Sequence, residues 1–291
     1  MTFNDNAKID SSKVRRRGRT TGIAAGGGGI AVVAIFLISQ FLGVDLSGLA
    51  GGGAGTADAP DEAIVACDTG AEANKDLDCR IAAATDSLDT YWSTQLPGTG
   101  VAYRTPGVVL FDARADTGCG AASSATGPFY CPPDETVYID PTFYEELRTR
   151  FGSSGGPLAE MYVVAHEWGH HVQNLSGTMN GLDLQATGPT SDSVRLEVQA
   201  DCFAGAWVGA ATSVRDVDGT TFLKPVRADQ IADALSAASA VGDDRIQQAA
   251  TGEVNPESWT HGSSEQRQKW FNAGLAGGPA ACDTFAAASL G

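Results

Sequence analysis

Between residues 76 and 96 the apolar positions Leu77, Ile81, Ala84, Leu88 and Tyr91/Trp92 recur every three or four residues, the period of one helix face. Pro97-Gly98 ends that helix. The next apolar runs are short. Residues 108–111 and 137–140 read as strands, separated by a loop over 116–133 that is rich in small residues. Residues 141–151 predict a helix with Pro141 in its first turn. Glycines between 152 and 156 break the chain, and Pro157 opens a helix that ends near Ser176-Gly177, the glycine serving as its stop. Further helices are predicted over 191–212, capped by Ser191 or Asp192, over 228–250 with an interruption near Gly242, and over 263–275, capped by Ser263 or Ser264. Helices dominate and strands are few and short, so the fold class is α+β.

The N-terminal pattern differs. Residues 1–19 are polar and basic and are expected to be disordered. Residues 20–44 carry no charge; at ~1.5 Å per residue they are long enough to span the ~30 Å hydrocarbon core of a bilayer with some tilt. Gly22 and Gly26 to Gly29 dilute the first half, and the dense part, Ile30 to Leu42, would also suit the apolar region of a secretory signal. The length of the uncharged run favours an uncleaved anchor. Gly, Ala and Ser then dominate as far as Pro60, a flexible tether. The expected organisation is a basic cytoplasmic tail (1–19), a transmembrane anchor (20–44), a linker (45–60) and one globular domain (61–291).

Charge sets the orientation. Residues 1–44 hold six Lys/Arg against Asp5 and Asp10, a net of +4, which leaves −20 on the remainder of a chain whose total is −16. Basic residues stay on the cytoplasmic side, so the domain is expected outside the cell membrane and the N-terminus inside, with a single crossing. The acidic body argues against nucleic-acid binding, which needs a basic face. Six cysteines form an even set with no C-x-x-C pair, against a cysteine zinc site. Proximity suggests Cys67–Cys79 and Cys119–Cys131, leaving Cys202–Cys282; six reduced thiols in a cytosolic protein are the alternative. An exported domain permits the disulfides.

The candidate chemistry lies on the helix opened by Pro157. His166 and His170 are four residues apart, about 40° apart around a helix axis, so their imidazoles can close on one metal ion. His171 projects away and is a poor ligand. Glu167 lies beside the pair and can hold a water next to the metal as general base. A third ligand is available on the next helix. Glu197 follows His170 with 26 residues between, room for a turn and an antiparallel helix, and completes a His₂Glu set for Zn²⁺. Asp201, on the same face as Glu197, can accept a hydrogen bond from the free ring nitrogen of a ligating histidine, with His166 the nearest choice. His261, in a Gly/Ser turn before the last helix, can donate to the oxyanion of a tetrahedral intermediate. Tyr138 could play the same part, and the strand 137–140 could offer its edge to an extended peptide.

His-Glu-x-x-His followed by Glu-x-x-x-Asp resembles the gluzincin metallopeptidases. More closely, the chain resembles the bacterial neutral zinc metallopeptidase family. The resemblance rests on the basic, glycine-rich N-terminus with its apolar segment, Gly43-Val-Asp45, Gly127-Pro-Phe-Tyr-Cys-Pro132, Val137-Tyr-Ile-Asp140, Val164-Ala-His-Glu-Trp-Gly-His-His-Val-Gln173, Glu197-Val-Gln-Ala-Asp-Cys202 and Thr260-His-Gly-Ser-Ser-Glu-Gln-Arg267. Trp168 stands where members often carry a smaller apolar residue. The resemblance implies a mostly helical, zincin-like domain that hydrolyses peptide bonds with a zinc-activated water. The expectation is a membrane-anchored, exported zinc peptidase acting on peptides or proteins. Its rivals are a non-catalytic zinc-binding scaffold of the cell envelope and an amidase acting on cell-wall peptides.

Overall fold

The computed structural model describes residues 2–17, 61–63 and 67–291. The expected anchor and all of the linker fall outside these residues. Among the described residues no helix is long and apolar enough to cross a membrane.

The architecture is α+β. Val14–Arg17 (β1), Asp61–Ala63 (β2), Gly107–Leu110 (β3), Phe129–Cys131 (β6) and Thr136–Ile139 (β7) form a five-stranded sheet in the order β2-β1-β3-β7-β6. β1, β3 and β7 run parallel, and β2 and β6 are antiparallel edges. Arg114–Thr117 (β4) and Gly120–Ser123 (β5) make a separate hairpin. The helices are Gly70–Ala73 (α1), Leu77–Gln95 (α2), Phe143–Thr149 (α3), Pro157–Ser176 (α4), Asp192–Gly209 (α5), Ala228–Ala240 (α6), Asp243–Thr251 (α7) and Ser264–Gly277 (α8). α4 packs against α2, α5 and α6 and touches β6 and β7, while α8 lies along α5.

Helix α4 forms where Pro157, whose missing N–H costs nothing in a first turn, follows Gly156 in extended conformation. It stops at Gly177, whose φ of 73° suits a residue without Cβ. From Leu158 to Gly169 it is buried without a break, so this helix is a core element on all sides. α5 and α8 are started by Ser191 and Ser263, whose side chains accept from the N–H groups of Val194 and Gln266. Three disulfides close the body, Cys67–Cys79, Cys119–Cys131 and Cys202–Cys282.

Three expectations need correction. Residues 2–17 are not a disordered tail. Phe3, Ala7 and Val14 are fully buried, and β1 sits between β2 and β3 inside the sheet. The domain therefore includes this segment rather than beginning at residue 61. Four apolar residues scattered over irregular backbone give no period to read, and burial of Phe3, Ile9 and Val14 stabilises by roughly 1.5–3 kcal/mol each. Secondly, the loop 116–133 contains most of the β4–β5 hairpin, whose small residues carry no strand alternation, and β6, which is only three residues long. Thirdly, the strand 137–140 does not offer an edge: β7 is paired on both sides, with β3 and β6.

One contact sets the separation of α4 and α5. A Cβ built on Gly169 would lie 2.9 Å from Cα of Ala200, nearer than side chains approach backbone. Alanine favours a helix over glycine by ~1 kcal/mol, but forcing the two helices apart costs about 1–3 kcal/mol. Gly169→Ala should therefore be destabilised by up to about 2 kcal/mol in chemical denaturation. Gly98→Ala, where nothing lies within 4 Å, should stay within about 0.5 kcal/mol of the wild type. Equal stability of Gly169→Ala and wild type would contradict the close-approach account.

Candidate metal centre

The crossing at Gly169 and Ala200 brings one turn of α4 against one turn of α5. His166 and His170 project from the first, and Glu197 and Asp201, which flank Ala200, project from the second. The Nε2 atom of His166 lies 3.2 Å from Oε2 of Glu197, and Nε2 of His170 lies 3.4 Å from Oε1 of the same carboxylate. The three candidate ligand atoms fall within 4.8 Å of one another. Two imidazole nitrogens and a carboxylate oxygen, converging and largely buried, are the donor set that zinc takes with three protein ligands. The residues present thus fit such an ion.

The remaining ring nitrogens are fixed by the protein. Nδ1 of His166 donates to Oδ1 of Asp201 at 2.8 Å. Nδ1 of His170 donates to Oε1 of Gln173 at 2.9 Å, and the Gln173 amide in turn donates to the Leu196 carbonyl at 2.7 Å and to Gln199 at 3.1 Å. Each hydrogen bond leaves Nε2 as the nitrogen that faces Glu197.

Asp201 is fully buried and has more partners than His166. The guanidinium of Arg267, on α8 and 3 % exposed, donates from Nε to Oδ2 at 2.8 Å and from Nη2 to Oδ1 at 3.0 Å. The Tyr162 hydroxyl also donates to Oδ1. Burial alone would raise the Asp201 carboxyl, but Arg267 and His166 outweigh it and hold it down to about 2. Burial would likewise depress His166, but Asp201 and Glu197 overcome it and raise the imidazole to about 10. Glu197 is lowered too: burial opposes the shift, and the charges of His170, His166 and His261 prevail.

Glu167, the residue after His166, is buried at 7 % exposure and stands outside the three-atom group. His261 sits on the loop before α8, and its charge is among those that lower Glu197. Its loop is held by Asp243, whose Oδ2 accepts the backbone N–H groups of Thr260, His261 and Gly262 at 2.8, 2.7 and 3.0 Å. Nδ1 of His261 is 3.4 Å from Oδ1 of the same carboxylate, while its side chain stays 42 % exposed. Burial would lower this imidazole, but the Asp243 hydrogen bond and the charge of Glu197 raise it.

Two residues fall outside the site. His171 is completely buried, between the Tyr130 hydroxyl at 3.0 Å and the Arg104 carbonyl at 2.7 Å, and ties α4 to β6. Tyr138 donates to Asp134 at 2.8 Å and stacks on Phe129 in a satellite cluster. The sequence reading missed Arg267, Gln173, Tyr162 and Asp243 as parts of the site. Arg267 and Gln173 stood at the ends of motifs already quoted, and that position was the available signal.

Known proteins similar to this chain add a second line of observation. The family described as "Putative neutral zinc metallopeptidase" matches residues 3–285, which takes in the N-terminal strand as well as the metal centre. "Uncharacterized protein Rv2575" of Mycobacterium tuberculosis is 52% identical over 235 residues, 80% of this chain and 79% of that protein. "Uncharacterized protein YpfJ" of Escherichia coli K12 is 40% identical over 269 residues, 90% of this chain and 88% of that protein. No solved structure matches the chain.

The raised His166 makes a pH prediction. Its contribution to the stability of metal-free protein is fully present below the ordinary histidine value of 6.5 and is lost as pH rises through about 10. Asp201 contributes above its ordinary 3.8, and that part is lost as pH falls through about 2. At pH 7 the metal-free His166 holds a proton on Nε2 that a metal ion must displace. Loading the metal-free protein with Zn²⁺ should therefore release about one proton per ion, read by calorimetry in buffers of different ionisation enthalpy. Metal uptake with no proton release would contradict the charged His166.

Proposed function

The chain belongs to the neutral zinc metallopeptidase family just described, and from that premise we propose that it is a zinc-dependent peptidase of zincin-like design, working outside the cytoplasm. The observation that carries the reading is the convergence of the His166 and His170 Nε2 atoms on the two oxygens of Glu197, with Glu167 one residue along the same buried helix. The disulfides, with no free cysteine among the described residues, support an oxidising compartment.

His166, His170 and Glu197 would hold the ion. A zinc ion there supplies Lewis-acid polarisation of a scissile carbonyl and lowers the pKa of a water. Everything else is assigned to the chain itself. Glu167 takes the proton of the attacking water and later gives it to the leaving amine nitrogen. His261, whose proton affinity the Asp243 partner raises, donates from Nε2 to the oxygen that becomes negative as the carbonyl carbon turns tetrahedral. Asp201 and Gln173 keep the two ligand rings turned toward Glu197, and Arg267 holds Asp201. The substrate class is a peptide or protein amide.

Variants separate binding from chemistry. Glu197→Ala should lose zinc. Glu167→Gln keeps shape and metal but cannot accept the proton, so hydrolysis should fall by roughly 10²–10⁴-fold at unchanged zinc content. His261→Ala should keep zinc and lower kcat by about 10²-fold or more, the usual cost of one oxyanion donor. The measurement is zinc stoichiometry beside kcat/KM on a peptide selected from a broad library. Full turnover by Glu167→Gln sinks the mechanism, and full zinc occupancy in Glu197→Ala sinks the ligand set.

A further inference from the structure

The sequence pattern separates residues 1–19 from the catalytic body by a single membrane crossing. The fold joins them. We infer that residues 2–17 lie on the same side of the membrane as the metal centre, so that the chain between residues 17 and 61 crosses a bilayer an even number of times or not at all.

Backbone pairing carries the inference furthest. β1 is an interior strand, parallel to β3 through Val14↔Val108, Arg15↔Val109 and Arg16↔Leu110, and antiparallel to β2 through Arg15↔Ala63, Arg16↔Glu62 and Arg17↔Asp61. Residues 17 and 61 are therefore cross-strand partners, with Cα atoms about 4.5–5.5 Å apart. A single crossing would put them on opposite faces of a hydrocarbon layer ~30 Å thick. The two arrangements exclude each other.

The rest of the segment is stitched to the body far along the chain. The Asn4 N–H donates to the Phe222 carbonyl at 2.9 Å, the Ile9 N–H to the Asp68 carbonyl at 3.0 Å, and the Lys224 N–H to the Thr2 carbonyl at 2.9 Å. Phe3, Ala7 and Val14 are wholly inside.

The basic residues that suggested a cytoplasmic N-terminus have another use. Lys13 is paired with Asp86 at 2.6 Å and Asp89 at 2.7 Å, both on α2. Arg16 is paired with Asp78, also on α2, and with Asp112 at 3.0 Å. The positive-inside rule concerns basic residues beside a membrane span that are left in a short loop. Here Lys13 and Arg16, two of the six, pair with acids of α2, and those two charges are explained without a membrane. None of this depends on the catalytic assignment.

The test uses the full chain. Asn6→Cys and Val217→Cys, both at exposed positions and the second 94 % exposed on the body, are made singly. Spheroplasts are treated with a membrane-impermeant maleimide, before and after lysis. Both variants should respond alike, either labelled in intact spheroplasts or protected until lysis. Labelling of Val217→Cys in intact spheroplasts, with Asn6→Cys reached only after lysis, would overturn the inference. The double variant Lys8→Cys/Thr69→Cys supplies a second readout, because these two residues face each other in an antiparallel bridge, which sets their Cα atoms about 4.5–5.5 Å apart, within disulfide reach. Treated with a membrane-permeant oxidant in intact spheroplasts, it should form the new disulfide in most molecules, seen by unreduced peptide mapping. Two free thiols under that treatment would equally overturn it.

Discussion

The candidate metal centre depends on one buried carboxylate. Asp201 has no water contact, and an unpaired charge at such a depth would cost several kcal/mol. Its partners come from three directions: Arg267 from α8, and His166 and Tyr162 from two successive turns of α4. The carboxylate cannot be satisfied unless α4, α5 and α8 are in register. The same hydrogen bonds that satisfy it aim His166 at Glu197. Stability of the core and orientation of His166 are thus one set of contacts, and the glycine at 169 is what lets the helices approach closely enough to make them.

A second chain of contacts does the same for His170. Gln173 accepts from its Nδ1 and donates to Leu196 and Gln199, and Gln199 donates to the Cys282 carbonyl at 2.8 Å. Cys282 is bonded to Cys202, the residue after Asp201. The C-terminal segment is thereby fastened to the helix that carries Glu197, and His166 and His170 are both backed by residues that face no solvent. Glu167 and His261 stand outside both of these chains of contacts, and His261 is the more exposed of the two.

Local chemistry was legible in the sequence and long-range pairing was not. His166, Glu167 and His170 share one helical turn, so their spacing alone defines their geometry. Glu197 and Asp201 could be read because carboxylates four apart on an apolar helix need partners. Arg267 lies 66 residues beyond Asp201, and an arginine on an amphipathic helix reads as solvent-facing until its carboxylate is known. Asp243 similarly reads as a helix-start residue, although three backbone N–H groups of the His261 loop converge on it. β1 was illegible for a sharper reason. Interior parallel strands are usually apolar runs, whereas Val14-Arg-Arg-Arg17 carries three charges in four residues. The long side chain of Arg16 reaches two acids that sequence order places more than sixty residues away. The hairpin β4–β5 escaped because Gly, Ala and Ser give no alternation.

The central claim is that two imidazoles and one carboxylate, oriented by Asp201 and Gln173, form a zinc site without sulfur. X-ray absorption at the zinc edge of the purified full-length protein tests it most directly. The account predicts a first shell of nitrogen and oxygen at about 2.0–2.1 Å with the outer-shell scattering of two imidazole rings. A shell containing sulfur at about 2.3 Å, or zinc bound with no imidazole signature, would contradict it.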